Sequence, residues 1–254
     1  NLDYNFFLAD FTARLPGAKR YTNTTPDDLA EENFRKPNVT VAHPVHRELT
    51  AAMSGLWHAG NASHCRFVVH ATLPEEAQRE AGAPQEIQIV VEVDGSRQDA
   101  ASIQWHLYLL RKRPTRLPEA TFFEMNPGGA SRGWSLTVLG SEMDPRDVLG
   151  TPGKSREDTV YGGSPHLRGV EAATLKRQGV ELRFTSLDVP ILSTGRPSPF
   201  PTPRDRGPDM SRGIAWNLHN NIWNTNYVLW YPFVEHDQHI QSRFRLDISA
   251  PPRT

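Results

Sequence analysis

The chain contains little cysteine, no excess of charge of either sign and no long apolar run. Its single cysteine, Cys65, excludes a framework of intrachain disulfides and any zinc site built on several cysteines. The 28 Lys and Arg residues nearly balance the 29 Asp and Glu residues, so no basic surface indicates nucleic acid or an anionic membrane. No apolar run reaches the roughly 18 residues that a membrane-spanning helix needs. We therefore expect neither nucleic acid nor a membrane among the partners.

The chain also lacks an initiating methionine and a recognisable signal peptide, since it begins at Asn1. We expect it to be part of a longer protein with an upstream region. Acceptor triplets for N-glycosylation begin at Asn23, Asn38 and Asn61 and favour the secretory pathway, whereas they would carry no meaning in a bacterial or cytosolic protein. Cys65 is then either a buried thiol or the partner of a cysteine on the upstream segment.

From residue 65 onward, apolar and polar residues alternate with the period of a β-strand. The tripeptide Arg177-Gln178-Gly179 predicts a hairpin turn between two of these segments. Many strands with little helix between them are typical of antiparallel sheets stacked as a sandwich, so the predicted fold class is mainly β. The alternating segments are residues 85–93, 102–110, 134–138, 167–176, 180–188 and 240–248.

A few short helices are expected near the N-terminus. Residues 25–34 begin with a threonine cap, a proline and two aspartates, which predicts a helix start. A second helix is predicted over residues 45–58, because Leu49, Met53 and Leu56 recur at helical spacing.

Two long interruptions, residues 144–164 and 195–213, are rich in glycine, proline and charge. Loops of this length often shape binding sites, although they are also where insertions are tolerated. We divide the chain into a mixed N-terminal segment, residues 1–64, and a β-sandwich domain, residues 65–254.

Residues 213–233 hold three of the six tryptophans and five asparagines, with no Lys, Arg, Asp or Glu. A sugar ring offers an apolar C–H face for stacking on an aromatic ring and hydroxyls that pair with neutral amides. The alternative is a buried strand pair with asparagines in its turns. The candidate sugar-binding residues in this block are Asn220, Asn221, Trp223, Asn226 and Trp230.

A proline-containing loop at residues 111–124 provides the second candidate region. Arg116 and Glu119 lie three apart there, so Glu119 is a candidate acid, base or hydroxyl acceptor oriented by Arg116. The alternative is an internal ion pair that clamps the loop. Asp188 either points into a cleft or caps the turn before Pro190.

The histidines do not predict a metal site on this chain. Two pairs, His43 with His46 and His236 with His239, lie three residues apart, but neither has a third ligand in a recognisable position.

Six short elements follow one another along the chain: Arg116–Ala120, Trp134–Leu136, Asp144-Pro145, His166, Ser186–Asp188 and Asn220–Asn226. Their order resembles that in proteins similar to glycoside hydrolase family 38 that carry the domain of unknown function 5054. The resemblance covers residues 85–248. Tyr227 stands where that group often has Phe, and Asn224 stands where it often has Gly, which could alter a turn.

This resemblance implies a β-supersandwich of the galactose-mutarotase-like kind, packed behind a catalytic α/β domain that holds a zinc ion and an aspartate nucleophile. Neither the zinc ligands nor the nucleophile is recognisable here, so none of that family's catalytic residues is carried over. The resemblance implies a carbohydrate ligand, no cofactor on this chain and an α-mannosidase-like parent. Independently of the family, Glu119, Asp188 and His166 are weak catalytic candidates.

Three functions stay open. The chain is the β-sandwich portion of a glycoside-hydrolase-like protein and supports a sugar cleft without the zinc chemistry, or it is a stand-alone carbohydrate-binding module. The third is a mutarotase-like or polysaccharide-lyase-like enzyme with Glu119, His166, His219 and Tyr227 as its acid and base types. A purely architectural role for the aromatic and asparagine block is a further alternative.

Overall fold

The computed structural model describes residues 2–6, 47–96, 100–113, 119–146, 166–195, 197, 208–220 and 239–250. They form fifteen strands, one α-helix and one 3-10 turn. The helix, α1, spans Glu75–Ala81, and the 3-10 turn spans Met210–Arg212. Strands β1 to β15 span Leu2–Phe6, Arg47–Thr50, Ala52–Gly60, His64–Thr72, Glu86–Asp94, Ala100–Leu110, Glu119–Met125, Trp134–Val138, Ser141–Met143, His166–Arg168, Val170–Arg177, Val180–Ser186, Ile191–Thr194, Ile214–Asn220 and Ile240–Ser249.

The strands form two sheets in which every described pairing is antiparallel. The six-stranded sheet has the order β10-β13-β14-β7-β1-β2, and the nine-stranded sheet has the order β3-β4-β5-β6-β15-β12-β11-β8-β9. The chain crosses repeatedly between the sheets, so neighbouring strands are often far apart in sequence. The prediction of a mainly β fold with antiparallel sheets is confirmed.

One hydrophobic core joins the two sheets. Phe123 and Trp216 of the six-stranded sheet contact Phe244 of the nine-stranded sheet, with ring centroids 4.9 Å and 6.1 Å apart. Trp105 reaches Phe123 from the nine-stranded side at 6.3 Å. The two sheets therefore share an aromatic and aliphatic core.

Most of the predicted strands are present close to their predicted bounds. In β6, Leu107 and Leu109 are buried in the core, whereas Gln104, on the opposite side of the strand, is exposed. This is the predicted alternation. The predicted hairpin turn follows β11, where Gln178 and Gly179 have φ of 53° and 80°. Positive φ at both central residues of a two-residue loop matches the twist of the flanking strands.

The predicted helix over residues 45–58 is wrong. Its described residues, 47–58, form β2 and most of β3, and β3 pairs along its length with β4. Met53 and Leu56 are exposed instead of buried on one helical face. Three apolar residues at helical spacing therefore did not mark a buried helical stripe, because backbone pairing with β4 decided the structure.

The predicted strand over residues 167–176 is divided at Gly169, where φ is 65°. A Cβ atom there would lie 2.9 Å from the Leu139 side chain, so glycine suits both the backbone and the packing. The break sends β10 to the six-stranded sheet and β11 to the nine-stranded sheet. One predicted strand thus links the two layers.

Helix α1 contributes Ala77 and Ala81 to the core. Two glutamates occupy its first turn, and Gly82 ends it in the left-handed conformation.

The predicted helix over residues 25–34 lies outside the described residues. No helix in the described part of the chain is long and apolar enough to cross a membrane. The division at residue 64 stays a prediction.

Candidate functional site

A bulge in β14 determines on which side of the six-stranded sheet the polar side chains of this strand lie. Asn217 pairs with Phe122 on β7 and His219 pairs with the next residue, Thr121, so Leu218 of β14 has no paired residue on β7. Because a bulge shifts the alternation of side chains, the residues before and after it need not follow simple parity. Register therefore decides which face each side chain occupies.

The core-facing side of β7 carries Glu119 and Thr121, since both have the same parity as the core residue Phe123. His219 lies opposite Thr121 on that side. All three are buried. The sheet thus groups a carboxyl, a hydroxyl and an imidazole at one end of the core.

Lys112 completes this cluster from the chain segment that follows β6. Its Nζ lies 2.5 Å from Glu119 Oε1, and the two side chains are 0% and 1% exposed. Lys112 Nζ also donates to the Arg113 carbonyl oxygen at 3.4 Å. A pair of opposite charges removed from water is stable only while both members remain, because either charge alone would be poorly solvated.

Lys112 is the cation that the described contacts place beside Glu119. Arg116, the partner expected from the sequence, lies outside the described residues. Lys112 was not singled out from the sequence. Its position among basic residues directly after a strand was the available signal, but basic residues after strands are common on surfaces.

The opposite side of the six-stranded sheet carries a second set of polar residues. Asn217 and Asn220 pair with Phe122 and Ala120, which belong with Ala215 to a small cluster separate from the main core. Both asparagines are fully buried. Within the described residues, neither amide atom of Asn217 makes a hydrogen bond. A buried amide without partners costs about 1–3 kcal/mol per group, so such a group is normally satisfied by water or a ligand.

Asp188 lies in the turn after β12, held by Arg243 of β15. Its carboxylate accepts from the Arg243 backbone N at 2.7 Å, from Nε at 3.0 Å and from a terminal guanidinium nitrogen at 2.8 Å. These hydrogen bonds from Arg243 keep the pKa of Asp188 below its ordinary value, despite partial burial that acts in the opposite sense. Asp188 therefore stays ionised and fastens the turn after β12 to β15.

The structure does not bring Glu119 and Asp188 together. Glu119 faces the core from the six-stranded sheet, whereas Asp188 binds an arginine that is exposed on the nine-stranded sheet. His166 lies in β10, opposite Ser193 of β13. The other candidates lie outside the described residues: Arg116, Asn221, Trp223, Asn226, Tyr227 and Trp230.

Among the described residues, no group of three His, Cys, Asp or Glu side chains lies close enough together to hold a metal ion. The expectation that this chain carries no cofactor stays a prediction.

The sequence matches no protein-family model, and it matches no curated protein. Among solved structures it is similar to an alpha-mannosidase from Enterococcus faecalis, with 9% identity and a TM-score of 0.44 over 82% of this chain. It spans 23% of that alpha-mannosidase chain. A likeness at this identity and TM-score says nothing about activity.

Two further solved structures have lower TM-scores. A GalM/aldose epimerase homologue from C. elegans matches with 12% identity and a TM-score of 0.28, over 80% of this chain and 69% of its own. A galactose mutarotase-like protein from Lactobacillus casei matches with 13% identity and a TM-score of 0.31, over 80% and 72%. Neither likeness carries information about activity.

Proposed function

We propose that the chain is the β-sandwich portion of a glycoside-hydrolase-like, carbohydrate-active protein, and that it supports a sugar cleft without cleaving bonds itself. In this proposal the fold is a supersandwich, and an upstream domain holds the zinc ion and the nucleophile. The proposed partners are a carbohydrate and that upstream catalytic domain. An α-mannosidase-like activity belongs to the whole protein.

The single observation that carries this proposal is the engagement of both candidate carboxylates. Glycoside hydrolysis ordinarily needs one carboxyl that gives a proton and a second that acts as base or nucleophile across the same bond. Glu119 is closed from solvent beside Lys112, and Asp188 is kept ionised by Arg243. The strands that carry Glu119 and Arg243 also belong to different sheets. Among the described residues, Glu119 and Asp188 therefore do not form such a carboxyl pair.

The amides of β14 support the sugar-related part of the proposal. Asn217 and Asn220 are neutral, buried groups on one side of the sheet, and their strand β14 forms the first part of the aromatic and asparagine block of residues 213–233. Hydroxyl groups are suitable partners for such amides because each can both donate and accept a hydrogen bond. Arg116, Asn221, Trp223, Asn226 and Trp230 remain proposed contributors to the cleft.

One observation favours a second candidate function. Glu119, Thr121 and His219 share the core-facing side of β7 and β14. A carboxyl and an imidazole on one face are the acid and base types that a mutarotase-like or lyase-like enzyme would use. Because all three side chains are buried, this second candidate requires the core to open to the sugar. Exchange between sugar anomers measured by NMR would rise above the uncatalysed rate in the wild type and fall back to it in His219→Ala if this function were correct.

The secretory pathway remains part of the proposal. Asn61 lies in the exposed turn between β3 and β4, and its Oδ1 accepts hydrogen bonds from the backbone nitrogens of Ser63 and His64 at 3.0 Å and 2.9 Å. The acceptor triplet is thus on the surface, where glycosylation requires it. Cys65 is a half-buried free thiol whose Sγ donates to the Asn61 carbonyl oxygen at 3.1 Å.

The proposal is tested by measuring binding and turnover on the same chain. A neutral mannose trisaccharide should bind, while an aryl α-mannoside should not be hydrolysed. Turnover by this chain would contradict the non-catalytic part of the proposal. Failure to bind any of the mannose, galactose and uronic-acid oligosaccharides would contradict the sugar-related part.

A further inference from the structure

The outward face of the nine-stranded sheet carries an exposed aromatic ring in a fixed position. Trp57 on β3 is 56% exposed, and its ring centroid lies 4.8 Å from that of His70 with an interplanar angle of 68°. A Cβ atom at Gly55 would collide with the six-membered part of this ring. The indole therefore lies over the backbone of Gly55 and against the edge of His70.

Polar side chains continue the row from His70 across the sheet. His70 pairs with Gln88 on β5, and Gln88 pairs with Tyr108 on β6. Directly paired residues project to the same side, and adjacent strands are about 4.8 Å apart, so the three side chains are neighbours on one face. Gln88 Nε2 lies 3.3 Å from His70 Nε2. An imidazole, an amide and a phenol thus line up beside the exposed indole.

Two valines lie in the adjacent row. Val68 pairs with Trp57 on one side and with Val90 on the other. Val90 is buried although it lies on the outward face. The surface beside the indole is therefore apolar, and the polar side chains of His70, Gln88 and Tyr108 lie in the neighbouring row.

The charges on this face occur next to opposite charges. Arg111 lies 3.1 Å from Glu86, and Arg66 lies 3.6 Å from Glu92. His70 Nδ1 lies 3.7 Å from the same Glu86. Paired surface charges leave little net field to attract an ion, so this face suits a neutral ligand better than an acidic or basic one.

We propose that Trp57, His70, Gln88 and Tyr108 form a binding platform for a neutral oligosaccharide. This proposal rests on the carbohydrate-related function above and adds a second sugar site on the outer face of the nine-stranded sheet. The indole stacks on the C–H face of one sugar ring, and the amide, imidazole and phenol hydrogen-bond the hydroxyls of that ring and the next. Together, Trp57 and this row extend across the four strands β3 to β6, which accommodates more than a single sugar unit.

The most direct probe is Trp57 itself. Incorporation of 5-fluorotryptophan gives a fluorine NMR signal for each of the six tryptophans, and Trp57→Phe identifies the signal of Trp57 by its loss. Titration with a neutral mannose trisaccharide should shift this signal to saturation. Gln88→Ala should weaken the titration of the Trp57 signal by roughly tenfold, because a sugar hydroxyl loses its amide partner.

Leu56→Ala is the matched control. Leu56 is 54% exposed and precedes Trp57 on the same strand, but it points to the other side of the sheet. This variant should leave the titration of the Trp57 signal unchanged. Equal weakening by Leu56→Ala and Gln88→Ala would overturn the platform, because the effect would then not depend on the outward face.

Other outcomes also decide between the proposals. A Trp57 signal that stays fixed while other tryptophan signals shift would overturn the platform and leave the proposed function standing. Fixed signals at all six positions, with no heat of binding, would contradict both. A stronger response to an equally long uronic-acid oligosaccharide would overturn the neutral-ligand assignment. A shift that follows protein concentration without sugar would overturn the platform and instead identify a contact between two copies.

Discussion

Strand β14 is buried along its whole length, whereas β3 is exposed along almost all of its length. Each carries a tryptophan held by aromatic or imidazole neighbours, but Trp216 is 0% exposed and Trp57 is 56% exposed. β14 lies between two strands of the six-stranded sheet and packs on the other sheet, while β3 lies at the edge of the nine-stranded sheet. The position of a strand in the sheets, more than its residue types, determines whether its side chains can meet a ligand.

The largest contrast is expected from removing the two tryptophan rings. Trp216→Ala should lower the free energy of unfolding by about 4 kcal/mol, because it leaves a cavity beside Phe244. Trp57→Ala should change it by no more than about 0.5 kcal/mol, as expected for a surface substitution. Urea unfolding followed by circular dichroism measures both. Equal losses would mean that β3 is as closely packed as β14.

The buried ion pair gives the next effect. Lys112→Met should lower the free energy of unfolding by about 3 kcal/mol, since it leaves the buried Glu119 carboxylate without this cation. The double variant Lys112→Met with Glu119→Leu should recover much of the loss, because no unpaired charge is then buried. A double variant no more stable than the single one would show that the pair contributes through other contacts.

Two glycines compare a closed and an open part of the fold. Both Gly213 and Gly140 have φ of 79°, but a Cβ atom at Gly213 would collide with the Met125 carbonyl oxygen, whereas nothing lies within 4 Å at Gly140. Gly140→Ala should cost about 1 kcal/mol from the backbone conformation. Gly213→Ala should cost about 2 kcal/mol or more, because the start of β14 must also shift. Similar melting temperatures for the two variants would contradict this packing.

The smallest effect concerns the open ion pair of Asp188. Because Arg243 lowers the pKa of Asp188 in the folded state, the pair stabilises the protein above the unfolded pKa of about 4 and loses that contribution as the pH falls through the folded value. Asp188→Asn should therefore reduce the free energy of unfolding at pH 6. The loss should be smaller than in Lys112→Met, because the Asp188–Arg243 pair is open to solvent. The difference from wild type should shrink below about pH 4. A difference that stays constant down to strong acid would show that Asp188 acts without its charge.

Much of the fold follows from sequence periodicity, while the site does not. The alternation of Leu107 and Leu109 with polar residues predicts β6, and Gln178-Gly179 predicts the hairpin, because both depend on local geometry. Periodicity did not predict the break at Gly169, because the two halves of that segment join different sheets and pair with strands far away in sequence. The helical spacing of Leu49, Met53 and Leu56 predicts a helix where β3 is found, so the sequence did not indicate the exposed position of Trp57 on that strand. The asparagines of β14 were recognised as unusual, but their burial depends on the surrounding sheet.

A calorimetric titration of this chain with the neutral mannose trisaccharide, with released mannose measured in the same sample, decides whether the chain binds sugar without cleaving it. Heat of binding without released mannose is the predicted result, since the described carboxylates Glu119 and Asp188 are engaged by Lys112 and Arg243. Release of mannose at a steady rate, or no heat of binding at any concentration, would contradict it.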